Sequence, residues 1–278
     1  MPAHVRVVAV PRSLLASVLV DRGSARSVLP RARARVPRGP LVLFTVSDGV
    51  LAPILCHDGR DLIDGDTGDC MGLAPAGDLA VLDTGARVVL AATTAAPCGG
   101  STTSTFDGRA VEGELGFARF AVWPTTATDV LELQQGTLEP TADELAAMAA
   151  LLRQETKGLY EVEPKLGTTT GLHVDLDGDG APDRVFAAHE PERLYGMVAV
   201  FPAHAPKAPV LLSALQYDAP RLVGTTEADG RPGREVLVDA LFVEAYESTT
   251  IVSAFSQRVL GLHDGAAAWV GSWGCRMF

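Results

Sequence analysis

Short apolar runs broken by Gly- and Asp-containing turns recur along most of this chain, a pattern of β-strands joined by tight connections. Leu41-Val-Leu-Phe-Thr-Val46 and Val50-Leu-Ala-Pro-Ile-Leu-Cys56 flank Ser47-Asp48-Gly49, which predicts a hairpin. Leu79–Leu82 and Ala86–Leu90 repeat it around Asp83-Thr84-Gly85, and Phe117–Trp123 adds a strand with large residues at alternate positions. An initial strand is expected at residues 4–10. In the C-terminal half, Arg184–Ala188, Met197–Phe201 and Val210–Leu215 read as strands, the last two joined by the Pro-rich 201–209 piece. Glu235–Tyr246 and Thr249–Phe255 read as a long hairpin turning on Glu247-Ser248, and Trp269 and Trp273 are placed to anchor the chain end in the core.

One stretch changes period. Thr141-Ala-Asp-Glu144 is a capping-box sequence, and Leu145, Met148, Ala149 and Leu152 follow on one face at helical spacing. The helix is expected to end near Gly158 and to serve the core. Glu161–Thr170, with Pro164, Gly167 and a Thr run, reads as a connector. The fold class is therefore mainly β: antiparallel hairpins or blade-like repeats, with one amphipathic helix between an N-terminal and a C-terminal β region. The expected divisions are 1–40, a basic arm with a first strand; 41–158, a β-rich region ending in the helix; and 159–278, a second β region.

Composition excludes several classes. Of 278 residues, 47% are hydrophobic and 21% charged, which is incompatible with a disordered chain, and no apolar run is long enough to predict a transmembrane segment. The net charge of −11 argues against nucleic acid as a partner. The charge is uneven, since residues 1–40 hold eight Arg and one Asp. Arg outnumbers Lys 20 to 3, as coding bias in a GC-rich bacterial genome would produce, so the basic start is read as a solvated arm on an acidic body before an anion or membrane-surface site.

The strongest chemical signal is Val174-Asp-Leu-Asp-Gly-Asp-Gly-Ala-Pro-Asp183. Carboxylates packed at alternate positions repel and raise one another's pKa, unless a hard cation takes up their charge. With Asp175 as position 1, Asp177 is 3, Asp179 is 5, the Ala181 carbonyl is 7 and Asp183 is 9, with Gly180 at the turn position. The start matches an EF-hand loop, but position 12 is Phe186 in place of a bidentate Glu, and a strand pattern follows instead of an exiting helix. His173, two residues before the loop, is expected to pack as a neighbour, because calcium prefers oxygen.

These residues resemble the calcium loop of FG-GAP/VCBS-type repeats, found in integrin-like propellers and many bacterial surface proteins. The resemblance implies calcium (Ca2+) held by Asp175, Asp177, Asp179, the Ala181 carbonyl and Asp183. A weaker second copy aligns at an offset of 50: Thr225 stands for Asp175, Glu227 for Asp177, Asp229 for Asp179 and Gly233 for Asp183. With two carboxylates left, little calcium affinity is expected there. The loop 56–70 holds Asp58, Asp61, Asp64, Asp66 and Asp69 without alternate spacing, and reads as a solvated turn.

Cys56, Cys70, Cys98 and Cys275 have no CxxC spacing, which disfavours zinc. Three disulfide pairings exist; Cys56 with Cys70 and Cys98 with Cys275 is preferred, and four buried free thiols remain an alternative. Paired cysteines beside a calcium loop fit an extracytoplasmic location in the periplasm, at the cell surface or secreted. Ser13–Val20 is too short, and ends at Asp21 without a small-residue cleavage site, so it does not read as a signal peptide.

Catalytic motifs are absent: there is no GxSxG, HExxH, GxxxxGK[ST] or GxGxxG between strand and helix. His189-Glu190 and His57-Asp58 are adjacent pairs, whose side chains point to opposite faces of a strand, and a Cys56/His57 nucleophile would need a free thiol. The preferred function is a non-enzymatic, calcium-stabilised β-rich module for binding or assembly with a protein or glycan partner. The alternative is a secreted or periplasmic hydrolase with a structural calcium ion.

Overall fold

The structure, a computed structural model, describes residues 39–65, 69–98, 104–127, 130–133, 138–156, 164–167, 169–191, 195–216, 218–228, 230–246, 249–263 and 266–276. The expected strand at 4–10, the Arg-rich arm and the Glu247-Ser248 turn lie outside the described residues. Within them the protein is mainly β, every strand pairing is antiparallel, and a single helix stands between strand regions.

The N-terminal strands form a closed ring. β1 (Leu41–Ser47) and β2 (Val50–His57) are the predicted hairpin; β4 (Leu79–Leu82), β5 (Arg87–Pro97), β6 (Thr105–Glu112) and β7 (Phe120–Trp123) complete the circuit β1-β7-β4-β5-β6-β2, closed by β1 pairing β2. The short β3 (Leu62–Asp64) extends it beside β2. Closure leaves both faces of β1 and β2 buried. Val42, Phe44, Leu51 and Cys56 pack inside the ring with Leu82, Val88 and Leu90, while Leu41, Leu43, Ala52 and Ile54 face outward into a second core. That double burial explains why these strands are continuously apolar. Phe117, expected in a strand, is 99% exposed in the turn before β7: Ala118 N–H donates to the Leu115 carbonyl at 3.0 Å and closes a turn over it, and the strand starts only at Phe120.

The outward face of the ring packs on a five-stranded sheet, β16-β15-β14-β13-β8, made of β8 (Leu131–Leu133), β13 (Asp218–Thr226), β14 (Glu235–Tyr246), β15 (Thr249–His263) and β16 (Ala266–Arg276). Period-2 alternation sends Val223, Leu237 and Val259 toward the ring and Leu222, Val236, Val238 and Leu260 to the opposite side. There they meet Val185, Ala187, Val198 and Val200 of a four-stranded sheet, β12-β11-β10-β9. Its strands are β9 (Thr169–Val174), β10 (Asp183–Glu190), β11 (Tyr195–Phe201) and β12 (Val210–Gln216). The connector expected through Thr170 thus gives way to a strand at Thr169, because Thr169 and Thr170 pair with Ala188 and Ala187.

The far face of that sheet is covered by α1 (Ala142–Glu155), whose Met148 and Leu152 pack against Phe186, Ala188, Met197, Ala199 and Phe201. The capping box is complete: Glu144 N–H donates to Thr141 Oγ1, and Thr141 N–H donates to Glu144 Oε2. Glu144 also receives Arg184 Nε at 2.6 Å, tying the helix start to the start of β10. Although burial pulls the other way, Arg184 and the Thr141 N–H hold the Glu144 carboxyl below its usual range.

The two β regions are joined covalently and by packing. The disulfides are Cys56–Cys70 and Cys98–Cys275, and β8, from before the helix, pairs with β13 after it. Trp273 is buried with Phe106 edge-on to it at 5.1 Å, as expected for an anchor. Asp64, expected in a solvated turn, lies in β3 and accepts from Ser272 N–H and Oγ.

Candidate metal-binding site

The Asp-rich segment forms the connection between β9 and β10, closed by the Val174–Asp183 pair. Each carboxylate has a distinct environment. Asp175 is half-buried and accepts from Asp179 N–H at 3.1 Å and Gly180 N–H at 2.9 Å, one on each oxygen. Asp183, 2% exposed, also uses both oxygens: Oδ2 accepts from Leu176 N–H at 3.1 Å and Oδ1 from Ala203 N–H at 2.9 Å. Asp179 is exposed, and its Oδ1 accepts from Ala181 N–H at 2.6 Å, which fixes the Ala181 backbone against the loop.

Asp177 is different. It is 4% exposed, Oδ1 accepts from Asp179 N–H, and Oδ2 is buried without a hydrogen-bond partner. A buried carboxylate oxygen left without a donor costs on the order of 1–3 kcal/mol. Burial pushes the Asp177 carboxyl above its ordinary range, and Asp179, Asp183 and Asp175 push the same way. Burial likewise raises Asp183 against its two backbone donors. A bound cation would supply the missing partner and reverse the repulsion, so the donor set fits a divalent ion.

Asp177 and Asp179 are brought together with a residue that sequence reading did not select. A carboxylate oxygen from each and an imidazole nitrogen of His204 lie within 4.8 Å of one another. His204 is exposed in the turn between β11 and β12, and the Ala203–Asp183 hydrogen bond holds that turn against the loop. No spacing rule announces it. Arg184 pairs across the sheet with Phe201, so antiparallel register alone places the residues after Phe201 beside those before Arg184. Asp175 and Asp183 flank this group with their oxygens on backbone donors. His173 is exposed on β9.

The second loop packs directly on the first. Arg234 N–H donates to the Asp175 carbonyl at 2.9 Å. Gly178 and Gly233 both have positive φ, +71° and +110°, and a Cβ on either would overlap the other loop, at Pro232 and at the Leu176 carbonyl respectively. The correspondence is offset by 52 residues, not 50. Val174 ends β9 as Thr226 ends β13, and Asp183 opens β10 as Glu235 opens β14. Ala228 N–H donates to Glu235 Oε2 as Leu176 N–H donates to Asp183 Oδ2. In this register Glu227 matches Asp175, Asp229 matches Asp177, Arg231 matches Asp179 and Glu235 matches Asp183. The shared Asp-Gly-x-Pro residues align at 50, but the strand ends set the structural offset. Asp229 lies outside the described residues.

The other sequence candidates are separate from this site. His57 is buried and its Nδ1 accepts from Gly59 N–H at 3.0 Å. Burial lowers the pKa of His189, opposed by Glu190 and Asp218, and its Nε2 is buried without a partner. Asp218 is raised by burial despite Arg258 at 2.8 Å. A cavity of about 200 Å³ beside β4 is lined by Asp83, Arg87 and apolar side chains, without His, Ser or Cys.

No family model matches the chain, and no curated protein or solved structure matches it either.

Proposed function

We propose that this chain is a non-enzymatic β module of an extracytoplasmic compartment, stabilised by calcium at the 175–183 loop and used for binding or assembly with a protein or glycan partner. The observation that carries the reading is the Asp177 carboxylate, buried among three other Asp side chains with one oxygen unpartnered. An ion there would pin β9 to β10 and, through the Asp175 carbonyl, the second loop to the first. The disulfides Cys56–Cys70 and Cys98–Cys275 support an oxidising location. Among the described residues no helix is long and apolar enough to cross a membrane.

The test is calorimetry and thermal melting of the chain and of Asp177→Ala/Asp179→Ala, in calcium and in chelator. Calcium at a hundred times its Kd should stabilise the parent chain by about 2.7 kcal/mol and leave the double variant unmoved. An equal calcium response in both would exclude this loop.

A further inference from the structure

His204 changes which ions the site can take. Calcium prefers an all-oxygen shell at roughly 2.3–2.6 Å, whereas imidazole suits zinc, copper, iron and nickel, bound with shorter N and O distances of about 2.0–2.2 Å. Two carboxylates and one imidazole within 4.8 Å form a mixed donor set of the second kind. Two further observations support a ligand there. Asp177 Oδ2 is buried and unpartnered, within a side chain that is 4% exposed. The turn carrying His204 is held in place by Asp183 Oδ1 through Ala203 N–H, so the imidazole is delivered by a built contact on a different hairpin. Asp183 therefore acts as a positioning residue: one oxygen orders the Asp loop at Leu176, the other orders the His204 turn.

We infer that Asp177, Asp179 and His204 form a mixed oxygen–nitrogen site for a first-row transition-metal dication such as Zn2+, built onto the cation loop of the proposed function and resting on that reading. Asp179 and His204 are exposed, so an ion could reach them and Asp177 directly from solvent. Within a series of dications, affinity should rise from Mn2+ through Co2+ to Ni2+, as it does for nitrogen-containing sites. A site made of the Asp loop alone would leave His204 irrelevant to every ion.

The experiment titrates the full chain with Co2+, followed by its visible absorption, then with Zn2+ in competition and with Ca2+ by calorimetry. The same titrations are run on His204→Ala and on Asp177→Asn. The expected result is that His204→Ala weakens Co2+ and Zn2+ at least about tenfold, the lower end of what even an outer partner contributes to metal affinity, while Ca2+ affinity changes little. Asp177→Asn should weaken all three ions. Equal Co2+ affinity in the parent chain and His204→Ala, or Ca2+ binding with no Co2+ binding, overturns this inference, and Ca2+ binding by the parent chain then leaves the calcium reading standing. Failure of the parent chain to bind any of the three ions overturns both. His204→Ala alters an exposed turn residue, and its unchanged melting temperature in chelator would show that the loss is not one of folding.

Discussion

The loops 175–183 and 227–235 connect equivalent strand pairs, share a seven-residue backbone-to-carboxylate clamp, and touch each other, yet they balance charge in opposite ways. The first loop carries four Asp and no cationic side chain. The second replaces position 5 by Arg231 and adds Arg234, whose guanidinium donates to Thr225 Oγ1 at 2.9 Å and lies 3.7 Å from Glu132. One loop brings its cations within the chain; the other leaves a buried carboxylate oxygen unpartnered. The backbone design is therefore not what demands an ion. The proposed ion answers instead to the side chains at one or two positions.

The most damaging way to break the pairing is steric. Gly178→Ala should destabilise the chain by roughly 2–4 kcal/mol in urea unfolding, because it adds strain at positive φ to a forced shift of Pro232. Gly180→Ala, also at positive φ but with open space around its Cβ, should cost only about 1 kcal/mol. Equal losses would mean that the loops do not bear on each other.

A smaller effect separates the loops by charge. Burial raises the Asp177 carboxyl above its ordinary 3.8, so in chelator, at a pH between the unfolded and folded values, the folded loop holds a proton that the unfolded chain has released. That contribution is complete below the unfolded value and is lost as pH rises through the folded one. In chelator at neutral pH, Asp177→Asn should melt higher than the parent chain, and the gap should close as pH falls toward 4. Saturating calcium should reverse the order. Melting curves across that range check the sign, and a constant gap would remove the repulsion argument.

The smallest expected change is a gain. Arg231→Asp restores a carboxylate at the equivalent of Asp179, giving the second loop acids at positions 1, 3, 5 and 9. Calorimetry should then show a second, weaker calcium equivalent. No added equivalent would indicate that the second loop lacks more than charge balance.

Much of this is legible in the sequence, for local reasons. The capping box of α1, the hairpins at 41–57 and 79–90 and the strand after the Asp loop follow from periods and turn residues within a few positions of each other. Strands such as β6, β8, β13 and β16 were less visible: β8 is three residues long, and β13 contains Pro220 and Gly224, so neither has a clean alternation. The repeat is visible in the sequence at an offset of 50, two residues from the structural register, because Asp-Gly-x-Pro is a local match whereas strand ends are set by pairing.

By itself the chain's pattern determined that the protein is mainly β, that one helix interrupts it, and that four carboxylates crowd a single turn, because alternation, capping and charge spacing are properties of neighbouring residues. Tertiary structure alone decided that the ring, the central sheet and the helix-covered sheet stack on shared cores. It also decided which of the four acids is left without a donor, and that His204 comes to Asp177 and Asp179. Those outcomes depend on register between strands remote in sequence, where a shift of one residue sends a side chain to the other face.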